Sequence, residues 1–161
     1  MAGKPIATVG SMHVCPMCTG TVPHVGGPVI GPGASNVKIN GKPAALLGDM
    51  CTCVGPPAVI VMGNAAVKIN GKPVVCQGDM TAHGGAIMMG ESNVTIGTVS
   101  PEPSVYLPFR EIPFPKITTM SKVAATVSGN GKRLKEAEGK QETIKEEALK
   151  HGYLAEYFFS A

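Results

Sequence analysis

The sequence has no tryptophan, and its seven Phe and Tyr residues all follow Val105. The region before Val105 must therefore build its core from Val, Ile, Met, Ala and Leu, and small side chains give little hydrophobic stabilisation. Such a region needs a staple: a disulfide framework, a metal or a partner. Charge is also sparse, at 16% of residues and a net +3. No basic stripe interleaved with aromatics is present, so nucleic acid is not expected as a partner. No apolar run approaches the ~20 residues that span a bilayer. The start, Met1 to Ile6, lacks the long apolar core of a signal peptide. The expectation is a chain made, and soluble, in the cytoplasm. Its cysteines number five. An odd number in a reducing compartment disfavours a disulfide scaffold and favours metal binding.

What the sequence does have is a repeat. Val37-Lys38-Ile39-Asn40-Gly41-Lys42-Pro43 recurs unchanged as Val67-Lys68-Ile69-Asn70-Gly71-Lys72-Pro73, thirty residues on. Each copy ends in the same tripeptide, Gly48-Asp49-Met50 and Gly78-Asp79-Met80, and a partial third copy follows as Asn93-Val94-Thr95-Ile96-Gly97. The Val-Lys-Ile alternation is that of a half-buried strand. Asn-Gly then supplies the positive-φ pair of a type I′ turn. Proline cannot donate to a ladder, so the returning strands through Pro43 and Pro73 should lie at sheet edges. Apolar runs Val29-Ile30, Ala58 to Met62 and Ala86 to Met89 precede the three copies. Units this small cannot each bury a face alone, so they should pack about a shared pseudo-threefold axis. The fold expected over residues 1–97 is all-β, a pseudo-threefold cone of short strands and hairpins.

Residues 98–116 change character. Pro101, Pro103, Pro108, Pro113 and Pro115 predict an extended connector, and Tyr106, Phe109 and Phe114 give it a way to lie against a surface. Residues 117–161 form a C-terminal extension with a helix expected over about 141–150, where Ile144, Ala148 and Leu149 fall at helical spacing. Its apolar end, Tyr153 to Phe159, is expected to dock or to await a contact.

Aligning the units on their Gly-Asp loops gathers most of the Cys and His in one place. The candidates are His13, Cys15, Cys18, His24, Cys51, Cys53 and His83. Thiolate and imidazole suit zinc, and a structural zinc takes four of them. Spacing leaves two sets open. One is His13, His24, Cys53 and His83. The other is Cys15, Cys18, Cys51 and Cys53, which would leave the third loop unanchored. Cys76 reads as a small buried hydrophobe, and His151 as a solvated residue at a helix end. Cys15-Pro16-Met17-Cys18 has redox spacing, but the turn residues after it do not open the helix that a thioredoxin-like site needs.

Met12-His13-Val14-Cys15-Pro16, Pro23-His24-Val25-Gly26-Gly27-Pro28, the two Lys-Pro to Gly-Asp-Met segments, Thr52-Cys53-Val54-Gly55-Pro56-Pro57 and Thr81-Ala82-His83-Gly84-Gly85 together resemble a PAAR-repeat protein. The resemblance covers about residues 1–97. It implies a sharp β cone at the tip of a type VI secretion or related contractile injection spike. It also implies one structural zinc held by His13, His24, Cys53 and His83, and docking of one copy on a trimeric VgrG-type spike. The name motif departs from the family at Pro43-Ala44-Ala45-Leu46 and Pro73-Val74-Val75-Cys76, where the arginine is missing.

The function expected from these readings is a zinc-stapled spike cap that sharpens the tip for membrane puncture, meets the target membrane only in transit, and leaves the cell on the spike. Two alternatives stay open. The chain could be an adaptor that mounts an effector through its extension, or the N-terminal part of a zinc-dependent or tail-encoded toxin. No clustered nucleophile, base or paired carboxylates can be assembled, so no catalytic residue is expected.

Overall fold

The structure, a computed structural model, describes residues 3–97 and 104–151. The chain opens with β1 (Lys4–Ile6), then β2 (His13–Val14), β3 (Cys18–Thr19), β4 (Val22–Pro23) and β5 (Gly26–Gly31). The first hairpin is β6 (Ala34–Ile39) with β7 (Lys42–Ala44), and β8 (Met50–Cys53) and β9 (Ala58–Val59) follow it. The second hairpin is β10 (Met62–Ile69) with β11 (Lys72–Val74). β12 (Ala86–Ile87) and β13 (Glu91–Ile96) complete the repeat region. Asn40 and Gly41 have φ of 51° and 81°, and Asn70 and Gly71 have φ of 54° and 77°. These are the positive-φ pairs that the Asn-Gly dipeptides predict. β7 and β11 are both terminal in their sheets, where their prolines forfeit no ladder bond.

The third hairpin is divided between the two ends of the repeat region. β1 pairs antiparallel with β13 in the register Lys4↔Ile96 and Pro5↔Thr95. The two continuous hairpins have the same register, Lys42↔Ile39 with Pro43↔Lys38, and Lys72↔Ile69 with Pro73↔Lys68. Gly3-Lys4-Pro5 is thus the missing half of the partial third copy.

The three units interlock through a closed cycle of backbone hydrogen bonds. Ala7 N–H donates to Val75 O at 2.8 Å, Val75 N–H to Ala45 O at 3.0 Å, and Ala45 N–H to Ala7 O at 3.0 Å. A parallel cycle runs from Val9 to Pro43, Leu47 to Pro73 and Gln77 to Pro5. Side chains alternate across this ring. Ile6, Ala44, Leu46, Val74 and Cys76 point to one core, with Ala34, Ile39 and Ile96 from the hairpins. Ala7, Ala45 and Val75 point to the other, with Val29, Ile60, Ile87 and Cys51. Cys76 and Cys51 are fully buried there, as small hydrophobes. The result is the all-β PAAR-like cone expected from the sequence, with a helical C-terminal tail.

Each unit ends in the same turn. Asp49 Oδ2 accepts from Leu46 N–H and Asp79 Oδ2 from Cys76 N–H, both at 2.8 Å. Ser11 Oγ accepts from Thr8 N–H at 3.0 Å in the first unit, so serine stands in for the aspartate. Burial pushes the Asp79 carboxyl up from 3.8 to about 7, against the Cys76 N–H and Lys4, which pull it down. A raised carboxyl pKa contributes stability that is present below the unfolded value and is lost as pH rises through the folded one. Asp79→Asn keeps an acceptor oxygen and carries no charge. Melting curves should show it gaining on the wild type between pH 4 and pH 8, by up to about 4 kcal/mol at ~1.4 kcal/mol per pKa unit. An unchanged difference across that range would refute this.

The extension is more ordered than the sequence predicts. β14 (Ser104–Tyr106) adds to the free edge of β10, so the connector joins the sheet there. A short 3-10 turn at Phe109–Glu111 leads to α1 (Thr119–Val127), and α2 covers Gly131–His151. Thr118 caps α1, its hydroxyl accepting from Ser121 N–H at 3.2 Å. α1 has no counterpart in the sequence reading, and α2 starts ten residues before the helix expected there. The helices bury Ala125, Leu134 and Ala137 against Cys15, Met17 and Cys18, and Ile144 and Ala148 against Val61, Ala82 and Ile112. No helix among the described residues is long and apolar enough to cross a membrane. The expected contact by Tyr153 to Phe159 lies outside the described residues.

Candidate metal centre

The ring fixes the ends of three loops, and these loops carry the donors. β2 runs into Cys15, the β3–β4 hairpin into His24, β8 ends at Cys53, and His83 follows the Gly78-Asp79 turn. The donor atoms of Cys15, His24, Cys53 and His83 all lie within 4.8 Å of one another. Cys15, His24 and His83 are buried and Cys53 is half-buried. Three of the five cysteines, Cys18, Cys51 and Cys76, lie outside this group, and all five are free thiols.

The spacing suits a tetrahedral ion. Zinc bonds of about 2.3 Å to sulfur and about 2.05 Å to nitrogen give a tetrahedral S···N edge of about 3.6 Å. Cys15 Sγ lies 3.8 Å from His24 Nδ1 and 3.7 Å from His83 Nδ1, and Cys53 Sγ lies 3.4 Å from His24 Nδ1. His24 thus offers Nδ1 to both sulfurs, while its Nε2 lies 2.6 Å from Thr19 Oγ1. A hydrogen bond from Nε2–H to that hydroxyl leaves Nδ1 unprotonated, the tautomer a metal needs. The residues present therefore fit a soft divalent metal.

Burial shapes the protonation of the group. It pushes the Cys15 thiol up to about 12 and the Cys53 thiol in the same direction. It pulls His83 down to about 4, with His24 and His13 adding to the effect, and it lowers His24, with Arg133 adding. Without metal the site is thus uncharged, with protonated thiols and neutral imidazoles. Metal binding must release the thiol protons.

His24, Cys53 and His83 come together as the family resemblance implies, and His13 does not join them. His13 and Cys15 are two residues apart and face the same side of the chain, so spacing alone cannot choose between them. The His13 ring is turned to Gly27, donating from Nδ1 to the carbonyl oxygen at 2.8 Å. Its Nε2 is buried and has no hydrogen-bond partner. Cys15 takes the fourth position of the group. Among the two sets open from spacing, Cys15 belongs only to the all-cysteine one, whose Cys18 and Cys51 lie outside the group. A signal for Cys15 was present: it aligns with Cys53 and His83 at one equivalent position of the repeat.

Glycines let the loops pass this close. A Cβ on Gly26 would lie 2.0 Å from His13 O, and one on Gly85 would lie 1.9 Å from Val14 O. The β2 backbone runs between these two glycines, directly before Cys15.

Residues 19–89 match the sequence model of the family described as PAAR motif. No curated protein matches the chain. The match takes in both full Lys-Pro to Gly-Asp segments and three of the four grouped donors, while β1 and β13 close the ring from outside it. Over that stretch, which is less than half of the chain, sequence and ring agree, and residues 19–89 carry a PAAR motif.

Proposed function

We propose that this chain is the metal-stapled tip of a contractile injection spike of the type VI secretion kind. It caps a trimeric VgrG-type protein with one copy per trimer, sharpens it for membrane puncture, and travels out of the cell on it. The observation that carries this reading is the closed pseudo-threefold ring, in which one chain offers three equivalent hairpins to a threefold partner. The metal is zinc in a structural role, because four protein donors close its coordination shell. Cys15, His24, Cys53 and His83 hold it. A second ligand set, with His13 in place of Cys15, is favoured by the unpartnered Nε2 of His13.

Two measurements on the full chain test this. Native mass determination of a mixture with a trimeric spike protein should give one chain per trimer. Three chains per trimer, or no complex, would refute the capping role. Cobalt substitution counts thiolates: Cys15→Ala should roughly halve the sulfur-to-cobalt charge-transfer band if Cys15 is a ligand, and leave it unchanged if His13 is.

An adaptor role for the extension also has support. Met120, Val123 and Val127, which are 79%, 56% and 83% exposed, form an apolar stripe along α1. In that reading the stripe receives an effector, and Val123→Asp should abolish cargo capture without changing the one-to-three stoichiometry.

A further inference from the structure

The side of α2 that faces the β region does more than cover apolar surface. Arg133 Nη2 donates to Cys15 O and to His24 O, both at 3.0 Å. These are the backbone carbonyls of two donors themselves. Two turns further along, buried Gln141 donates from Nε2 to Ala82 O at 3.1 Å, directly before His83. Between them Leu134 and Ala137 pack on Cys15, Met17 and Cys18, with Cys53 at the margin of the same cluster. Gly84 sits so close beneath Ala137 that a Cβ there would meet Ala137 O at 2.9 Å. Asn130, just before α2, donates to Thr21 O at 3.2 Å in the loop leading to His24. Positions 130, 133, 134, 137 and 141 fall on one helical face. That face spans two separate donor loops, residues 15–24 and 82–84, which the pairing of β2 with β12 also draws together.

We infer that α2 is a brace for the metal centre, with Arg133 and Gln141 as positioning residues that hold the Cys15, His24 and His83 loops at coordination distance and so retain the ion. Neither side chain is a ligand. Each fixes a main-chain carbonyl at or beside a donor residue, and loss of either lets a loop relax away from the tetrahedron. Outer-sphere partners of metal ligands commonly carry 10- to 100-fold in affinity. The inference rests on the metal-staple reading above.

The test uses the full chain loaded with cobalt and a competing chelator. Arg133→Gln and Gln141→Leu should each release cobalt about tenfold faster than the wild type, and Arg133→Lys should restore part of the retention, since one ammonium can still reach a carbonyl. The cobalt spectrum should keep its tetrahedral bands, because the ligands are unchanged, and the melting temperature of the metal-free protein should stay within a few degrees. Release at the wild-type rate in both variants would overturn the brace. So would a fall in metal-free melting temperature as large as that of the loaded protein, since α2 would then be general scaffold. A wild-type chain that takes up no cobalt would instead refute the metal-staple reading itself.

Discussion

Removing the metal should lower the melting temperature by more than about 10 °C. Structural zinc contributes on the order of 10 kcal/mol in small peptides, which is comparable with the whole stability of many domains. The cores here are small. One is made of Ala7, Ala45, Val75, Val29, Ala58, Ile60, Ile87 and Cys51, with no aromatic side chain. For a chain of this size each kcal/mol moves the midpoint by roughly 2–4 °C. A loss of even half the peptide value therefore gives a shift that scanning calorimetry reads easily. Cys53→Ala and His83→Ala should reproduce most of it and make the melt insensitive to chelator. Equal melting of loaded and chelated protein would show that the four donors tie nothing together.

The second large effect is steric. Gly26→Ala and Gly85→Ala should each cost more than about 3 kcal/mol, at the upper end for overpacking, because the new Cβ meets main-chain carbonyls and not the tip of a movable side chain. Both substitutions push on β2 just before Cys15, so cobalt binding should fall along with stability. Gly139→Ala is the matched control. It lies within α2 with nothing within 4 Å of its would-be Cβ, and should stabilise by about 0.5–1 kcal/mol. If Gly85→Ala melts like Gly139→Ala, the close approach of the loops has no energetic weight.

The repeat region was legible because its signals are local. Asn40-Gly41 and Asn70-Gly71 specify their turns, and Val37-Lys38-Ile39 specifies its strand, without reference to anything distant. The pairing of Lys4 with Ile96 was not legible from the loops, since they align Gly10 with Gly48 and say nothing about the strand before it. Gly3-Lys4-Pro5 carried the signal, as a third copy of the Gly-Lys-Pro tripeptide. α1 was missed because Thr119, Ser121, Val123 and Val127 are poor helix formers. Its burial of Ala125 against Cys15, Met17 and Cys18 overrides that propensity. The early start of α2 has the same cause: Leu134 and Ala137 find a surface that the sequence could not reveal. At the candidate metal centre, composition and repeat phase identified the loops. The choice between His13 and Cys15 depended on the ring of His13 turning to the Gly27 carbonyl, a contact with no sequence signature.

The divided hairpin has a consequence for synthesis. Lys4 reaches its partner Ile96 only after more than ninety further residues have been made. Until then the third hairpin lacks one of its two strands, although the cycle through Ala7, Ala45 and Val75 needs only residues up to Val75. Contacts this distant in sequence slow folding, because loop closure must precede any gain from the pairing. The nascent β1 therefore waits as an open strand edge, exposed to neighbouring chains, until the last unit leaves the ribosome. Once the ring has closed, no unit can detach without breaking hydrogen bonds to both of the others, so the same long wait ends in three units held as one piece.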